Sequence, residues 1–583
     1  MKQKLFKIYG LLHSLKYIKI LSASIKSIFN QETLSDAQHI KMASNWLLYM
    51  QNSDGGYSRK FSFINGRDIS YIETTGYIIP TLIDVGKKYN EPKYINSALK
   101  AGEFLINVQN DDGSFSEIDG GKPLAFDTGQ CLIGLNCLYK YTNNNQYLNA
   151  LKKASFWLVN NQEKNASWER VAYNNIPHTY YTRVASAILK SANILENEML
   201  KDGALKNIEW VLDNQLDNGY FKYSSFDKNT SAYLHTLIYI LEGLLDIFDM
   251  TKDKKILNAV IKNADNFKDI NLKRDLVLCS QYDENFRCVN NERCITGLAQ
   301  WAGVALRLYE LTSDNGYKIC AINTLYYLKA KQLKSSKMRG SFSASIPFWG
   351  KYGGFDFVNW SNKFFIDSML LYQKYSVSKE KEQSSYVGVS FYISSSVVTN
   401  TLSYMDKKYI KRLKNIFPKN KKIKVLDLGC GKGVIIKELQ QEFPLIDFYG
   451  IDPIFESENI KKGDAYNIEF KNDFFDIVMS FEVLQHTILK SALTEIYRVV
   501  KKDGVIIIGE RNPYSILGML KPFLELIGRW MYPFDSAFRE KWYTKSIWIY
   551  HLKRAGFSVE SIDEIQGDGK RFVNRYFFIR CFK

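Results

Sequence analysis

The stretch Val425-Leu426-Asp427-Leu428-Gly429-Cys430-Gly431-Lys432-Gly433 reads as a buried strand that ends in an acid and a leucine and runs straight into a glycine turn. Val434-Ile435-Ile436-Lys437-Glu438-Leu439 comes next with helical spacing, so the segment predicts strand, tight loop and helix. Glycines at such a turn let backbone approach a ligand closely, and the helix start presents N–H groups with no intrahelical partner. A lone glycine loop is weak, because many α/β proteins turn this way. The segments downstream of the loop are more specific.

A second strand, Asp447-Phe448-Tyr449-Gly450-Ile451-Asp452, ends in an acid 25 residues after Asp427. An acid at that strand tip can accept both ribose hydroxyls of a nucleoside. Next come Gly463-Asp464-Ala465, the strand Phe475-Asp476-Ile477-Val478-Met479-Ser480-Phe481, and, after a helix with Glu495 and Arg498, the strand Val505-Ile506-Ile507-Ile508-Gly509-Glu510. This ordered set resembles the class I S-adenosylmethionine-dependent methyltransferases over residues 400–583. The loop is Gly-x-Gly-x-Gly, not the dinucleotide form Gly-x-Gly-x-x-Gly, which suits a ligand with no pyrophosphate. The resemblance implies S-adenosylmethionine as cofactor and a Rossmann-like α/β domain. It also implies that Asp427, Gly429, Gly431 and Gly433 hold the methionine moiety, that Asp452 holds the ribose, that Asp464 lies beside the adenine, and that Ser480 completes the set. His486, just past the fourth strand, is the candidate base for an acceptor hydroxyl, or else a cap of the next helix.

The 583 residues allow two or three domains, and a hydrophobic fraction of 46% is ample for packed cores, which excludes a disordered chain. The balance of 78 basic to 61 acidic residues, a formal charge of +17, favours anionic partners or reflects only a lysine-rich composition. The eight cysteines form no Cys-x-x-Cys pair and no disulfide framework by spacing, which suits a reducing cytoplasm. Residues 1–30 carry six lysines and no acid among short apolar runs. That pattern is neither a clear signal peptide nor a spanning helix; a basic amphipathic helix lying on a membrane and a first helix docked on its domain both fit.

Residues 31–375 repeat. Trp46-Leu47 precedes Gln51-Asn52-Ser53-Asp54-Gly55-Gly56-Tyr57; Phe104-Leu105 precedes Gln109 and Phe115; Trp157-Leu158 precedes Gln162 and Trp168; Trp210-Val211 precedes Gln215 and Phe221. The glutamines lie 58, 53 and 53 residues apart, the length of two helices and their connections. Each unit is therefore a helical hairpin in which Gln closes the first helix and an Asp/Asn-Gly turn reverses the chain. A second series, starting at Glu73-Thr74, Phe126-Asp127, Tyr180-Tyr181, His235-Thr236, Cys294-Ile295 and Val358-Asn359, marks six second helices. Six hairpins close into an (α/α)6 toroid. The fold class is thus an all-α toroid followed by a Rossmann-like methyltransferase domain, joined by a charged, serine-rich linker at 376–399.

The outer-helix pattern resembles the repeats of triterpene cyclases and prenyltransferase-type toroids, and also the six-hairpin glycosidases, epimerases and lyases. No Asp-x-Asp-Asp motif is present for alkene protonation, and no ligand-spaced histidine accompanies Cys288 or Cys294 for zinc. No metal is expected. The inner helix starts place Glu73, Asp127, Tyr181, Arg183, His235, Gln300, Asn359, Trp360 and Lys363 at one mouth of the ring. Glu73, Asp127 and His235 are the candidate proton-transfer groups there, and Tyr181, Arg183, Asn359 and Trp360 the candidate sugar-binding ones, because a polar sugar needs acids for proton transfer, Arg for a uronate and rings for stacking. Catalysis, glycan binding without chemistry, and a structural ring whose Asp and Glu merely serve helix N-termini all remain open.

In the insertion 513–538, Lys521, Glu525 and Arg529 form one charged stripe on an apolar helix containing Phe523, Leu524, Ile527 and Trp530. Such a face fits the protein's own core, a membrane surface or a lipid-linked acceptor. The expected activity is methyl transfer to a sugar or glycan oxygen in the cytoplasm or at a membrane surface. A nucleic-acid, protein or isoprenoid acceptor, with the toroid as docking module, is the alternative, and nucleic acid is disfavoured by the lack of a base-reading or stacking motif.

Overall fold

The structure is a computed structural model that describes residues 34–62, 65–116, 120–274, 277–334, 338–348, 350–354, 356–377, 404–452, 455–463, 465, 467–487, 489–512, 543–566 and 575–583. The basic start at 1–30, the linker at 378–399, the insertion at 513–538 and Asp464 lie outside these residues. The chain divides into two compact units, one of residues 1–271 and 277–375, the other of residues 272–276 and 376–583. No helix among the described residues is long and apolar enough to cross a membrane.

Among the described residues of the first unit, six outer helices alternate with six inner ones. The outer set is α1 (Asp36–Tyr49), α3 (Pro92–Val108), α5 (Asn145–Asn160), α7 (Glu198–Asp213), α9 (Lys254–Arg274) and α11 (Asn315–Lys331). The inner set is α2 (Ile72–Tyr89), α4 (Ala125–Thr142), α6 (Thr182–Leu195), α8 (Leu234–Thr251), α10 (Ile295–Thr312) and α12 (Asn359–Val377). Outer helices begin on side-chain caps at Ser35, Asn144, Asn197 and Asp314, as their solvent-facing ends require. Inner helices are buried nearly all round; α8 buries thirteen of its eighteen residues.

The repeat glutamine does more than close its own helix. Gln51 Nε2 donates to Gly55 O and, across to the next outer helix, to Ser97 O, both at 2.8 Å. Gln109 does the same to Gly113 and Ala150, Gln162 to Ala166 and Gly203, and Gln215 to Gly219 and Ala259. One amide thus joins each turn to the following hairpin, two bonds of about 1 kcal/mol each. The trailing aromatics Tyr57, Phe115, Trp168 and Phe221 are fully buried beneath these turns.

A fifth such glutamine escaped the sequence pattern. Gln332 Nε2 donates to Gly340 O and to His39 O of α1, both at 3.1 Å, so the last outer helix is stitched to the first. Its own-turn carbonyl lies eight residues on, where the others lie four on, and this hid it. Lys329 with Asp36 at 2.9 Å, and Thr81 Oγ1 donating to Asp367 at 2.7 Å, close the outer and inner rings.

The cysteine reading needs correction: Cys279 and Cys288 form a disulfide across nine residues. Local spacing gave no sign of it, because the pairing comes from the hairpin in which Tyr282 faces Cys288. The absence of a disulfide framework therefore no longer supports a reducing compartment.

Among its described residues the second unit holds a seven-stranded sheet of β1 (Ile423–Leu428), β2 (Ile446–Asp452), β3 (Ile460–Lys462), β4 (Phe475–Phe481), β5 (Val500–Arg511), β6 (Ser558–Gln566) and β7 (Arg575–Phe582), in the order β3-β2-β1-β4-β5-β7-β6. All pairs from β3 to β5 are parallel, and β7 runs antiparallel to β5 and β6. The near-continuous apolar runs of β1 and β4 suit strands buried on both faces. Helices α13 (Tyr404–Leu413), α14 (Val434–Glu442), α15 (Leu489–Val499) and α16 (Lys545–Arg554) accompany the sheet. The strand order reverses at β1 and β4, and ligands of open α/β sheets bind at the carboxyl ends beside such a switch point.

Candidate functional site

At that switch point the glycine loop takes the shape the sequence implied. Gly429, Gly431 and Gly433 have φ of +78°, +55° and +71°, the region side chains resist. A Cβ on Gly429 would come within 2.3 Å of Val483, whereas one on Gly431 would meet nothing within 4 Å among the described residues. Gly431 therefore keeps space for something other than protein. Its N–H donates to Asp452 Oδ2 at 2.9 Å, and Asp452 Oδ1 accepts from Phe455 N at 3.2 Å, so the acid expected to meet a ribose also pins the loop.

Asp427, at the tip of β1, is buried, and its Oδ2 has no hydrogen-bond partner among the described residues; Ser480 Oγ, on β4, is in the same state. Burial first, then the neighbouring Asp406 and Asp452, push the Asp427 carboxyl up to about 8. Just beyond β4, Glu482 takes a left-handed φ of +59° and lies 3.4 Å from Arg511. Glu510 Oε1 accepts from Leu484 N and Gln485 N at 2.7 and 3.3 Å and fixes the turn after β4. Burial drives the Tyr409 phenol well up, and Glu482, Glu510 and Asp406 add to it. Carboxylates thus dominate the carboxyl ends of the central strands.

Of the residues expected at this site, Asp427, Asp452 and Ser480 lie at the carboxyl ends of β1, β2 and β4, and Asp406, Tyr409, Glu482 and Glu510, which the sequence reading did not name, lie near them. Asp406 and Tyr409 sit on a helix before the first strand, where no motif marks them. His486 closes the short turn Leu484–His486 after β4; its side chain lies outside the described residues.

In the toroid the inner helices start without side-chain caps at Tyr71, Leu124, Tyr181 and Tyr233. Glu73 and Asp127 therefore lie within the first turns of α2 and α4 rather than capping them. The two acids act on common neighbours: beyond the effect of burial, both push Cys131, Tyr180 and Tyr181 further up. His235 Nδ1 meets Gln300 Oε1 at 2.6 Å, and Gln300 Nε2 donates to Glu242 at 2.9 Å. That amide orientation makes Nδ1 the protonated ring nitrogen. Burial holds His235 down at about 3, so the ring is neutral at pH 7.

Arg183, expected as an anchor for a substrate acid, is instead ion-paired with Glu242 at 2.9 Å, bonded to Gln130 at 3.2 Å and laid against the rings of Tyr239 and Phe364. Tyr181 is buried, its hydroxyl accepting from Tyr173 N at 3.2 Å. Asn359 is fully buried and donates to the Ser58 carbonyl, a structural tie. Trp360 Nε1 donates to Tyr352 Oη at 2.7 Å, and the Tyr352 ring reaches His235 at 5.8 Å. Lys363 pairs with Asp367. Of the expected mouth residues, Arg183, His235 and Gln300 form one network, Trp360 joins it through Tyr352, and Asn359 stands apart from it.

A methyltransferase domain family model matches residues 401–562, and the prenyltransferase alpha-alpha toroid domain model matches 3–166 and 148–345. An uncharacterized protein of Methanocaldococcus jannaschii is 36% identical over 111 residues, 17% of this chain and 42% of that one. A ubiquinone/menaquinone biosynthesis C-methyltransferase of Campylobacter jejuni is 27% identical over 183 residues, 26% of this chain and 77% of the relative. The chain thus spans less than half the length of the first of these relatives. A cellobiose 2-epimerase from Bacillus thermoamylovorans is 14% identical in sequence, with a TM-score of 0.47 over 58% of this chain and 99% of that one.

The site fits the cofactor that the methyltransferase fold uses. The partnerless oxygens of Asp427 and Ser480, the space at Gly431 and the excess of carboxylates suit S-adenosylmethionine, which carries an ammonium, a sulfonium and a ribose. Asp427 and the glycine loop would hold its methionine end and Asp452 its ribose; when bound, it supplies an electrophilic methyl group. The family model for the toroid covers residues 3–345 of 583, so the chain belongs to the prenyltransferase alpha-alpha toroid family and carries at its C-terminal end an S-adenosylmethionine-dependent methyltransferase domain.

Proposed function

We propose that the protein methylates an oxygen of a sugar or glycan intermediate, with the toroid binding that glycan. The observation that carries this reading is the inner-helix cluster of Glu73, Asp127, Glu242, Arg183 and His235 set among the rings of Phe126, Tyr180, Tyr181 and Tyr239. Carboxylates beside aromatic faces suit a sugar, whose hydroxyls need acceptors and whose C–H face stacks on rings. On this reading the methyl step demands alignment more than activation, since in-line transfer to a hydroxyl gains most from proximity and orientation. His486, at the exit of β4, is proposed as the group that takes the hydroxyl proton. A lipid-linked sugar at a membrane surface fits the charge of +17.

A second reading, methyl transfer to an isoprenoid or quinone-like acceptor, is favoured by the 27% identity to the C-methyltransferase named above. Isotope-labelled S-adenosylmethionine incubated with full-length protein separates them. Label in soluble or lipid-linked glycans, lost on His486→Ala with cofactor binding retained, supports the first reading. Label in a demethylated quinone alone refutes it.

A further inference from the structure

Beside Glu73 and one turn past Asp127, four buried polar atoms on three different inner helices gather without a partner in full hydrogen-bond geometry among the described residues. They are Thr74 Oγ1 and Tyr77 Oη of α2, Gln130 Nε2 of α4 and Tyr239 Oη of α8. All four residues are 0–2% exposed. Thr74 and Tyr77 neighbour each other one turn apart, the threonine hydroxyl acting on the phenol at the edge of hydrogen-bond geometry, and neither atom has a further partner among the described residues. The rest of the group is drawn together by shared contacts. The Tyr77 and Tyr239 rings both pack on Phe364, at 5.9 and 5.6 Å. Gln130 Oε1 accepts from Arg183, whose guanidinium lies 4.8 Å from the Tyr239 ring centre. Phe126 meets Tyr239 at 5.5 Å.

Buried polar groups are almost always satisfied, so several in one place, ringed by aromatics, mark a site whose partner is not part of the protein. The atoms themselves define the chemistry of that partner. Two phenols, a threonine hydroxyl and an amide N–H are all donors, and the hydroxyls also accept. An isoprenoid chain could fill the aromatic surroundings but would leave every one of these atoms unpaired, which is costly in a dry interior. We infer that the centre of the toroid is a carbohydrate-binding site in which Tyr77, Tyr239, Gln130 and Thr74 hydrogen-bond the ligand's oxygens while Phe126 and Phe364 face its C–H surface. This departs from the apolar ligand that the name of the toroid family suggests. It rests on the carbohydrate part of the proposed function and not on methyl transfer.

The test uses full-length protein with methyl glycosides of glucose, galactose, mannose, N-acetylglucosamine and glucuronic acid, and geranylgeraniol in mixed micelles as the apolar probe. Binding is read by saturation-transfer NMR and by thermal shift, in wild type and in Tyr77→Phe/Tyr239→Phe. The expected result is that at least one glycoside binds and weakens about tenfold or more in the double variant, while the melting temperature holds or rises, because deleting a buried hydroxyl that has no protein partner is close to neutral. No glycoside binding to the wild type, or binding unchanged in the double variant, overturns the inference. So does geranylgeraniol binding equally to both proteins while the glycosides do not bind. S-adenosylmethionine titration of the same proteins keeps the two readings apart: a glycoside bound by the toroid but never methylated refutes the transfer reading and leaves this one standing.

Discussion

Asp427→Asn tests the electrostatics of the methyl-donor site in a way that a simple loss of activity would not. In the folded chain the Asp427 carboxyl is held up to about 8, against 3.8 for an ordinary aspartate. Between pH 5 and about 7.5 the folded chain therefore keeps this proton and the unfolded chain has lost it. The stability the group contributes is fully present below pH 3.8 and is lost as pH rises through 8. The slope is ~1.4 kcal/mol per pH unit, about 3 kcal/mol over that window. Asparagine has the same shape and does not titrate, so the variant lacks this slope. Urea unfolding read by pulse proteolysis of the full-length protein, with fragments of residues 404–583 quantified by mass spectrometry at intervals from pH 5.5 to 8.5, measures the difference directly. The stability of the variant minus that of wild type should climb with pH and level off above 8. Cofactor titration provides the counterpart. A cationic ligand favours the ionised carboxylate, so wild-type affinity should rise toward pH 8, by at most about tenfold per pH unit, while the variant binds weakly and without that dependence. Parallel stability curves for the two proteins would refute the assigned ionisation and with it the account of why Asp427 stands partnerless.

Gly431→Ala and Gly429→Ala should part company. The first meets open space and strains only a left-handed backbone, costing about 1 kcal/mol while blocking the cofactor, whereas the second drives a methyl into Val483 and destabilises the whole unit; cofactor titration beside thermal melts distinguishes them. Gln332→Ala removes three side-chain bonds, two to His39 of the first outer helix and one to Gly340 of its own turn, and should lower toroid stability by ~3 kcal/mol, read as faster hydrogen exchange in 36–49 and 315–331 together. Burial holds His39 at about 4 and His235 at about 3, so each contributes stability that is present above pH 6.5 and lost as pH falls through its folded value; His39→Gln should remove roughly 1.4 kcal/mol per pH unit of acid sensitivity between 6.5 and 4.

The outer ring was legible because its signal is local. Gln, turn and trailing aromatic sit within seven residues, and the glutamine's first bond goes to a carbonyl four residues on. Where the loop lengthened, at Gln332, the same bond was made and the pattern vanished. The second layer of ties, Asn207 to Ala166 O and Asn263 to Gly219 O, was invisible because an asparagine mid-helix carries no mark of the carbonyl it will meet 41 or 44 residues away.

The inner cluster shows where residue type stops being informative. Arg183 and Glu242 lie 59 residues apart, His235 and Gln300 65. Sequence places each at a helix start or one or two turns in, but ridge and register decide that Arg183 meets a carboxylate and two rings instead of solvent. A charged side chain that looks available for a ligand is often neutralised from the neighbouring helix, since an unpaired buried guanidinium is too costly to keep. The reverse holds for Tyr77 and Tyr239. Within apolar helices they read as core, and their rings are core. Only their hydroxyls depart from that role, and a hydroxyl without a partner is a property of three-dimensional packing that no spacing rule contains. Arg183, Tyr181 and Asn359, the residues most readily named from sequence as sugar ligands, are therefore ones the fold has already engaged, and the atoms left to bind come from the phenols of Tyr77 and Tyr239 within apolar helices and from Thr74 and Gln130 beside the polar helix starts.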